Sequence, residues 1–480
     1  MNERGRGMDW KYEDMEERRI GLPQDVRRMK EYGDFEGAKR RIAVWLEKEI
    51  PEALRKRLKE EIPVLEILPM EYTIPKEQAI LMCKERIRNF TEEEFERRWE
   101  NGEIDWIYVN GEVRFFRRFL ETLLKVFIPG KRVKDETSDV DELEQKALEQ
   151  VVHKVKEKGK VTYHFRIHAG IKVKEVAFEK GMLSVHIPYP LEQMQVHNVR
   201  LVESNIKEPL IASRDAGQRT VFGMVRQQEP EEIYIEYEYD NSVRYVVLDP
   251  KKAEASIQPV YTWALADGFA DAGPVRKEDF LEQAPHIIFT PYLKALAEEI
   301  VGEETNIVRK AKMVYDFVTT KIKYSFMPEY VVMDSIAEYA AMNGRGDCGV
   351  QTILFITLLR ILGIPARWQS GLYVTPYSAG SHDWAQFYVE PYGWVFADCS
   401  FGGSAYRRGE EELWEFYFGN LDPFRMPANS VFQQEFYPRK KYRRTDPFDN
   451  QRGEAEYEDR GLSYDELECC RRVIAAYEKE

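Results

Sequence analysis

The chain changes its hydrophobic period along its length. In the first 150 residues apolar positions recur at helical spacing, as in Ala43, Leu46 and Ile50 and again in Phe116, Phe119, Leu123 and Phe127, set among Glu, Lys and Arg. This section is expected to be mainly helical. Tyr32-Gly-Asp-Phe-Glu-Gly-Ala38 hints at a helical hairpin, but no second copy follows at a fixed period, so a repeat array is not supported. The charged run from Lys131 to Lys160 reads as a solvated linker plus helix and places a domain boundary there. From Val161 the period becomes two: Val161, Tyr163, Phe165, Ile167, Ala169, Ile171 and Val173 alternate with more polar partners, and Ile233, Ile235, Tyr237 and Tyr239 repeat the pattern. Pro188, Pro190 and Gly223 punctuate shorter strands between them, so residues from about 158 to 250 read as an antiparallel β-sandwich.

After a loop holding Asp267 and Asp271, both periods mix. Ile307, Ala311, Val314, Tyr315, Val318 and Ile322 mark an amphipathic helix. Asn343-Gly-Arg-Gly-Asp-Cys348-Gly then leads into Val350 to Ile364, which is apolar on almost every face and predicts a buried helix stopped by Gly363 and Pro365. Two strands follow, His382 to Glu390 and Trp394 to Cys399, joined by the turn Pro391-Tyr-Gly393. Beyond Phe424 the chain turns polar. One short helix is expected near its end, where Ser463-Tyr-Asp-Glu466 offers a capping box and Leu467, Cys470, Ile474 and Tyr477 an apolar stripe. The expected class is therefore α+β, in four segments: a helical N-terminal region (1–150), a β-sandwich (151–255), a mixed helix-and-strand core (256–425) and a polar C-terminal extension with a short helix (426–480).

Composition narrows the function classes. A length of 480 residues suits about three domains and an enzyme-sized core. The formal charge of −14 argues against an overall fit to nucleic acid or an anionic membrane, and 43 % hydrophobic residues exclude a disordered chain. The five cysteines, Cys83, Cys348, Cys399, Cys469 and Cys470, show neither C-x-x-C spacing nor a disulfide framework, which fits a reducing compartment. The charged N-terminus lacks a secretory apolar region, and the longest apolar stretch, around Ile353 to Leu359, is too short to span a bilayer. A cytoplasmic protein without nucleic-acid or membrane partners is expected. His164 and His168 share the polar face of a strand, but no third ligand accompanies them, so solvent-facing histidines are expected rather than a metal site.

Chemistry concentrates between residues 346 and 398. Cys348 stands where a glycine-rich turn enters an apolar helix, so unsatisfied backbone N–H groups and the helix dipole are expected to favour its thiolate. His382 opens a strand after the flexible Ser378-Ala-Gly380-Ser381. Asp398 ends the neighbouring strand, at the end that lies beside His382 if the two run antiparallel. Nucleophile, base and orienting acid thus fall in order within one compact section, as a Cys/His/Asp acyl-transfer site requires. Trp384 and Trp394 share strand parities with His382 and Asp398 and are candidate site walls, with ordinary core packing as the equal alternative. Tyr324 is a candidate second oxyanion donor beside the Cys348 backbone N–H.

At these residues the sequence resembles the transglutaminase-like superfamily of papain-like cysteine enzymes. The resemblance rests on Gly346-Asp-Cys348-Gly, on Leu-Gly-Ile-Pro-Ala-Arg367, on His382-Asp-Trp384 and on Gly393-Trp-Val-Phe-Ala-Asp398. It implies a helix-plus-sheet core with Cys348 as nucleophile, His382 as general base and acid, and Asp398 as the group that orients the imidazole. The preceding sandwich also resembles the β-domain of many bacterial members. The likeness to a bacterial cytoplasmic branch extends to about residue 450, through Tyr417-Phe-Gly-Asn-Leu-Asp-Pro423. Cys399 stands where many relatives carry proline, either as an apolar filler or as a second, oxidisable sulfur near the site. The superfamily implies protein or peptide amides as substrates and includes crosslinkers, peptidases and inactive scaffolds, so fold alone does not choose among them. A protein partner for the N-terminal helices is conceivable. No cofactor is implied, and no EF-hand pattern suggests calcium, so no metal requirement is expected.

Overall fold

The N-terminal section folds as its period dictates. Helices Gln24–Tyr32, Phe35–Leu46, Glu52–Glu71, Lys76–Arg86 and Glu92–Glu100 bury Val26, Ala38, Ile42, Leu58, Leu65, Ile80 and Phe95. The first two form the helical hairpin: Gly33, at φ 82°, closes one helix and the Asp34 carboxylate caps the next at Gly37 N–H. A small hairpin, Trp106–Val109 with Glu112–Phe115, and a turn through Leu123–Phe127 complete the section. The computed structural model describes residues 12–128, 130–134, 139–255 and 275–479. The loop with Asp267 and Asp271 lies outside them.

Helix Asp139–Lys158 then feeds a sandwich of two four-stranded antiparallel sheets. One sheet orders Glu454–Tyr457, Gly181–Pro188, Thr220–Gln227 and Leu210–Ile211; the other orders Leu467–Glu478, Lys160–Val173, Ile233–Arg244 and Val196–Ser204. The outer strand at one end of each sheet therefore comes from the last thirty residues of the chain.

This corrects the expected C-terminal helix. The capping box of Ser463 and Glu466 exists, but it closes a single turn, and Leu467–Glu478 runs on as a strand paired with Lys160–Val173. Its register shifts between Val473 and Ala475, so the period of two is broken inside the strand, and the stripe residues Ile474 and Tyr477 stand 46 % and 53 % exposed. An open sheet edge offers a full row of backbone partners, which outweighs a weak helical spacing in a short segment. The extension is likewise not a separate polar tail. Phe432, Phe436 and Phe448 are buried, and Glu454 is buried between Lys440 (2.7 Å) and Arg444 (2.9 Å).

The remaining core is a five-stranded antiparallel sheet, ordered Phe418–Gly419, Gly393–Ala397, Ala379–Val389, Ala366–Val374 and Arg425–Asn429. Helix Cys348–Ile361 packs against the middle strand Ala379–Val389 and its neighbour Ala366–Val374, with every residue from Gly349 to Arg360 buried. Phe355 meets Phe387 of the sheet edge-to-face at 5.9 Å, and Phe387 stacks on Phe418 at 5.5 Å. Helices Ile307–Lys321, Ile336–Asn343 and Cys399–Arg408 surround this central helix. Among the described residues, no helix is long and apolar enough to cross a membrane.

Candidate active site

Asp347 caps the central helix. Its Oδ1 accepts from Val350 N–H (3.0 Å) and from the Tyr330 hydroxyl (2.7 Å), which fixes the turn that carries Cys348. Gly349 must lack a side chain here, because a Cβ would lie 2.0 Å from the Tyr330 hydroxyl and 3.0 Å from Asp383 Oδ2. That close approach brings the half-buried Cys348 against the strand Ala379–Val389, where its thiol donates to Asp383 Oδ2 at 3.0 Å.

His382, one residue earlier on the same strand, faces the opposite side of the sheet from Asp383. Its Nε2 is 2.7 Å from Asp398 Oδ2. Asp398 is completely buried and doubly anchored: Oδ1 caps helix Cys399–Arg408 at Phe401 N–H (2.9 Å), and Oδ2 also accepts from Arg425 Nη2 (2.9 Å). Burial opposes its charge, but His382 and Arg425 overcome that and hold the carboxyl well below its usual range. Burial lowers His382 from 6.5, so the resting imidazole is neutral. Beside an ionised carboxylate its proton belongs on Nε2, which leaves the Nδ1 lone pair free to act as a base.

Arg425 gave no signal of its own in the sequence, although it stands two residues after the motif ending at Pro423. It is completely buried, bonds Asp422 Oδ1 at 3.1 Å, and lies over the rings of Phe401 (4.3 Å) and Tyr373 (4.6 Å). Lys125, from the N-terminal section, was equally unmarked. Its Nζ lies 4.2 Å from the ring centre of Tyr324, and burial lowers its pKa from the usual lysine value. Tyr324 pairs with Gly346 in a short parallel ladder just before Cys348; burial first, then Cys348 and Asp347, keep its phenol protonated.

The thiol differs from expectation. Burial, followed by the carboxylates of Asp383 and Asp347, pushes Cys348 well above the ordinary thiol value, outweighing the helix terminus. Cys348 is therefore a neutral thiol at rest, and among the described residues no hydrogen bond joins it to His382. Behind Asp383 lies a second buried carboxyl, Asp449, which accepts from Ser370 Oγ and Asn429 Nδ2; burial and then Asp446 raise it to about 7. Gln451 Nε2 donates both to Asp383 Oδ1 and to the His382 carbonyl.

The two candidate walls separate. Trp384 is fully buried, stacks on His382 at 5.9 Å and donates from Nε1 to Gln369 Oε1 at 2.6 Å. Trp394 is not at the site: its register partner is Tyr388, six residues along the strand or about 20 Å from His382, and Arg367 covers its ring at 3.9 Å. Shared parity fixed the face of the sheet but not the position along it. Cys399 is buried, and all five cysteines are free. His168 does not face solvent as expected but is buried and pairs with Glu232 (2.6 Å), while the partly exposed His164 pairs with Asp240 (2.8 Å). Among the described residues, no cluster of three or more His, Cys, Asp or Glu side chains could hold a metal ion.

Residues 294–399 match the family model of the transglutaminase-like superfamily. The chain carries a transglutaminase-like core. The matched segment contains Cys348, His382 and Asp398. An uncharacterized protein of Haemophilus influenzae is 25 % identical over 150 residues, 26 % of this chain; the chain spans 40 % of that protein's length. Among solved structures, a candidate cysteine protease from Cytophaga hutchinsonii aligns with TM-score 0.39 and 13 % identity, over 66 % of this chain and 91 % of its own. The periplasmic domain of TgpA from Pseudomonas aeruginosa aligns with TM-score 0.27 and 13 % identity, over 55 % and 96 %.

Proposed function

We propose that the protein is a cysteine acyl-transfer enzyme acting on protein or peptide amides. The observation that carries this reading is the buried His382–Asp398 pair at 2.7 Å, on the strand whose next residue holds the Cys348 sulfur. In the reactive arrangement, which is not the resting one with the thiol on Asp383, Cys348 Sγ attacks the amide carbonyl carbon as its proton passes to His382 Nδ1. Asp398 stabilises the resulting imidazolium, and Arg425 keeps Asp398 ionised and fixed. The Cys348 backbone N–H, in the first turn of its helix, is one donor for the developing oxyanion, and the protonated Tyr324 phenol is the candidate second. His382 returns the proton to the leaving amine or ammonia as the tetrahedral intermediate collapses to a thioester. An acceptor amine or water, deprotonated by His382, then attacks the thioester and expels Cys348.

An amine acceptor makes the enzyme a transglutaminase, and water makes it a peptidase or amidase. A catalytically silent protein-interaction scaffold is the second reading, and the neutral, carboxylate-bound thiol is what favours it. Incubation with a peptide library, with and without a primary-amine donor, separates these outcomes by mass spectrometry. Loss of ammonia per crosslink marks transfer, and gain of water marks hydrolysis. Cys348→Ala is expected to abolish either product, by a factor of 10³ or more, on the order of that for other nucleophile deletions. Undiminished turnover in that variant rejects the mechanism, and no turnover by the wild type on any peptide leaves the scaffold.

A further inference from the structure

We propose that Lys125 and Arg407 form a cationic lip beside Cys348 that binds an acidic side chain of the peptide substrate, so that the protein selects amides flanked by Asp or Glu. That the bound peptide is a substrate rests on the acyl-transfer reading above; the lip itself rests on other observations.

The lip forms where the N-terminal section meets the core. Thr122 Oγ1 accepts from Phe326 N–H at 3.0 Å, and the Arg118 guanidinium lies 3.8 Å over the Phe326 ring. Lys125 lies over Tyr324, the residue paired with Gly346 just before Cys348. Helix Cys399–Arg408 packs against the same short strand and brings Arg407 into electrostatic range of Lys125. Solvent reaches the Lys125 side chain, yet the surrounding protein desolvates its ammonium. An accessible side chain so enclosed stands in a recess, not on a convex surface.

The charges in that recess do not balance. The groups within electrostatic range of the Lys125 ammonium are Cys348, Arg118, Arg407 and Glu121. Glu121 is already held by Arg118, at 2.9 Å from Nε and 2.7 Å from Nη2. Among the described residues neither Lys125 nor Arg407 bonds a carboxylate, although the chain has 84 acids against 70 bases and the buried Lys440, Arg444 and Arg425 each have one. The Tyr324 ring holds the ammonium in place but leaves its charge whole. Like charges gathered without a counter-ion repel, and an anion entering among them relieves that repulsion. Asp347 and Asp383 crowd the sulfur itself with carboxyls, which keeps the anion at the lip and off the nucleophile. The formal charge of −14 disfavours a long polyanion, so a short acidic peptide is the partner that fits.

The test is binding, read by fluorescence anisotropy with full-length Cys348→Ala so that no turnover interferes. The probe is a labelled peptide with a central glutamine flanked by glutamates, set against the same peptide with those glutamates replaced by glutamines. At low salt the acidic peptide is expected to bind about tenfold tighter, an advantage that shrinks as salt screens the exposed charges. Lys125→Gln and Arg407→Gln should each cut the advantage by about two- to fivefold, the range of an exposed ion pair, and together should remove it. Lys125→Glu combined with Arg407→Glu guards against a variant that is merely misfolded: it should now prefer a lysine-flanked peptide. Equal binding of the acidic and neutral peptides, or an advantage that survives the double glutamine variant, overturns the lip. Tighter binding of a single-stranded oligothymidine than of the acidic peptide, lost in the same variant, also overturns it and gives the two cations to nucleic acid. Wild-type turnover keeps the two ideas apart. Equal binding and equal kcat/KM for acidic and neutral peptides sink the lip alone, whereas charge-dependent binding with no turnover of either peptide sinks the acyl-transfer reading and leaves the lip as a peptide-binding surface.

Discussion

His382 and Asp383 are neighbours on one strand, yet the two faces they occupy handle buried charge in opposite ways. On the His382 face, Asp398 bonds an imidazole at 2.7 Å and a guanidinium at 2.9 Å, and the carboxyl stays ionised although no part of it is exposed. On the Asp383 face, Asp383 and Asp449 bond a thiol, a hydroxyl, side-chain amides and each other, and both are pushed above the usual carboxylate range, first by burial and then by a neighbouring carboxyl. Full burial alone therefore does not set the state of a carboxyl; the presence of a bonded cation decides. One face becomes a charged, rigid orienting pair and the other a proton store beside the nucleophile.

The largest expected effect comes from removing the cation. Arg425→Met leaves Asp398 and Asp422 buried without their shared partner, and should cost about 3–5 kcal/mol of stability by urea unfolding. It should also make the two faces more alike, with Asp398 titrating higher than in the wild type and His382 losing part of its orienting charge. A cost under about 1 kcal/mol is the result that breaks the comparison.

The proton store predicts a pH effect of definite sign. Asp449, raised to about 7, binds a proton in the folded protein that the unfolded chain releases near pH 4, so the folded state is the more protonated between those values. Stability from this group therefore falls as pH rises from about 4 to 7. Asp347, raised to about 6, acts in the same direction, and the buried His186, lowered to about 3, opposes it. The clean quantity is the difference between Asp449→Asn and wild type: it should move in favour of the variant by about 2–4 kcal/mol between pH 5 and pH 8. Parallel stability curves for the two proteins remove the proton store.

The smallest effect tests whether the His382 face depends on its aromatic wall. Trp384→Phe removes the donor to Gln369 Oε1 and leaves a small void, while Gln195 still satisfies that oxygen at 3.1 Å. A loss of about 1–2 kcal/mol, with turnover reduced less than by His382→Ala, fits packing plus positioning. An equal loss of turnover would place Trp384 in the machinery itself.

The sequence by itself determined the features that depend on local pattern: helices in the N-terminal section, strands of period two in the sandwich, the apolar helix behind Cys348, and the adjacency of His382 and Asp398. Each follows from spacing along one element or across one short turn, where the chain has few alternatives. Only the tertiary structure decided what depends on distant partners. It turned Leu467–Glu478 into a strand, because the edge of Lys160–Val173 was open. It set Trp394 at Tyr388 instead of His382, and it brought Arg425 to Asp398, 27 residues away in the chain. It also reversed the expected state of Cys348. A helix N-terminus favours a thiolate from within a single element, but Asp383 arrives from a strand 35 residues on and Asp449 from the segment that closes the sandwich, and their charge and burial were invisible until the fold assembled them.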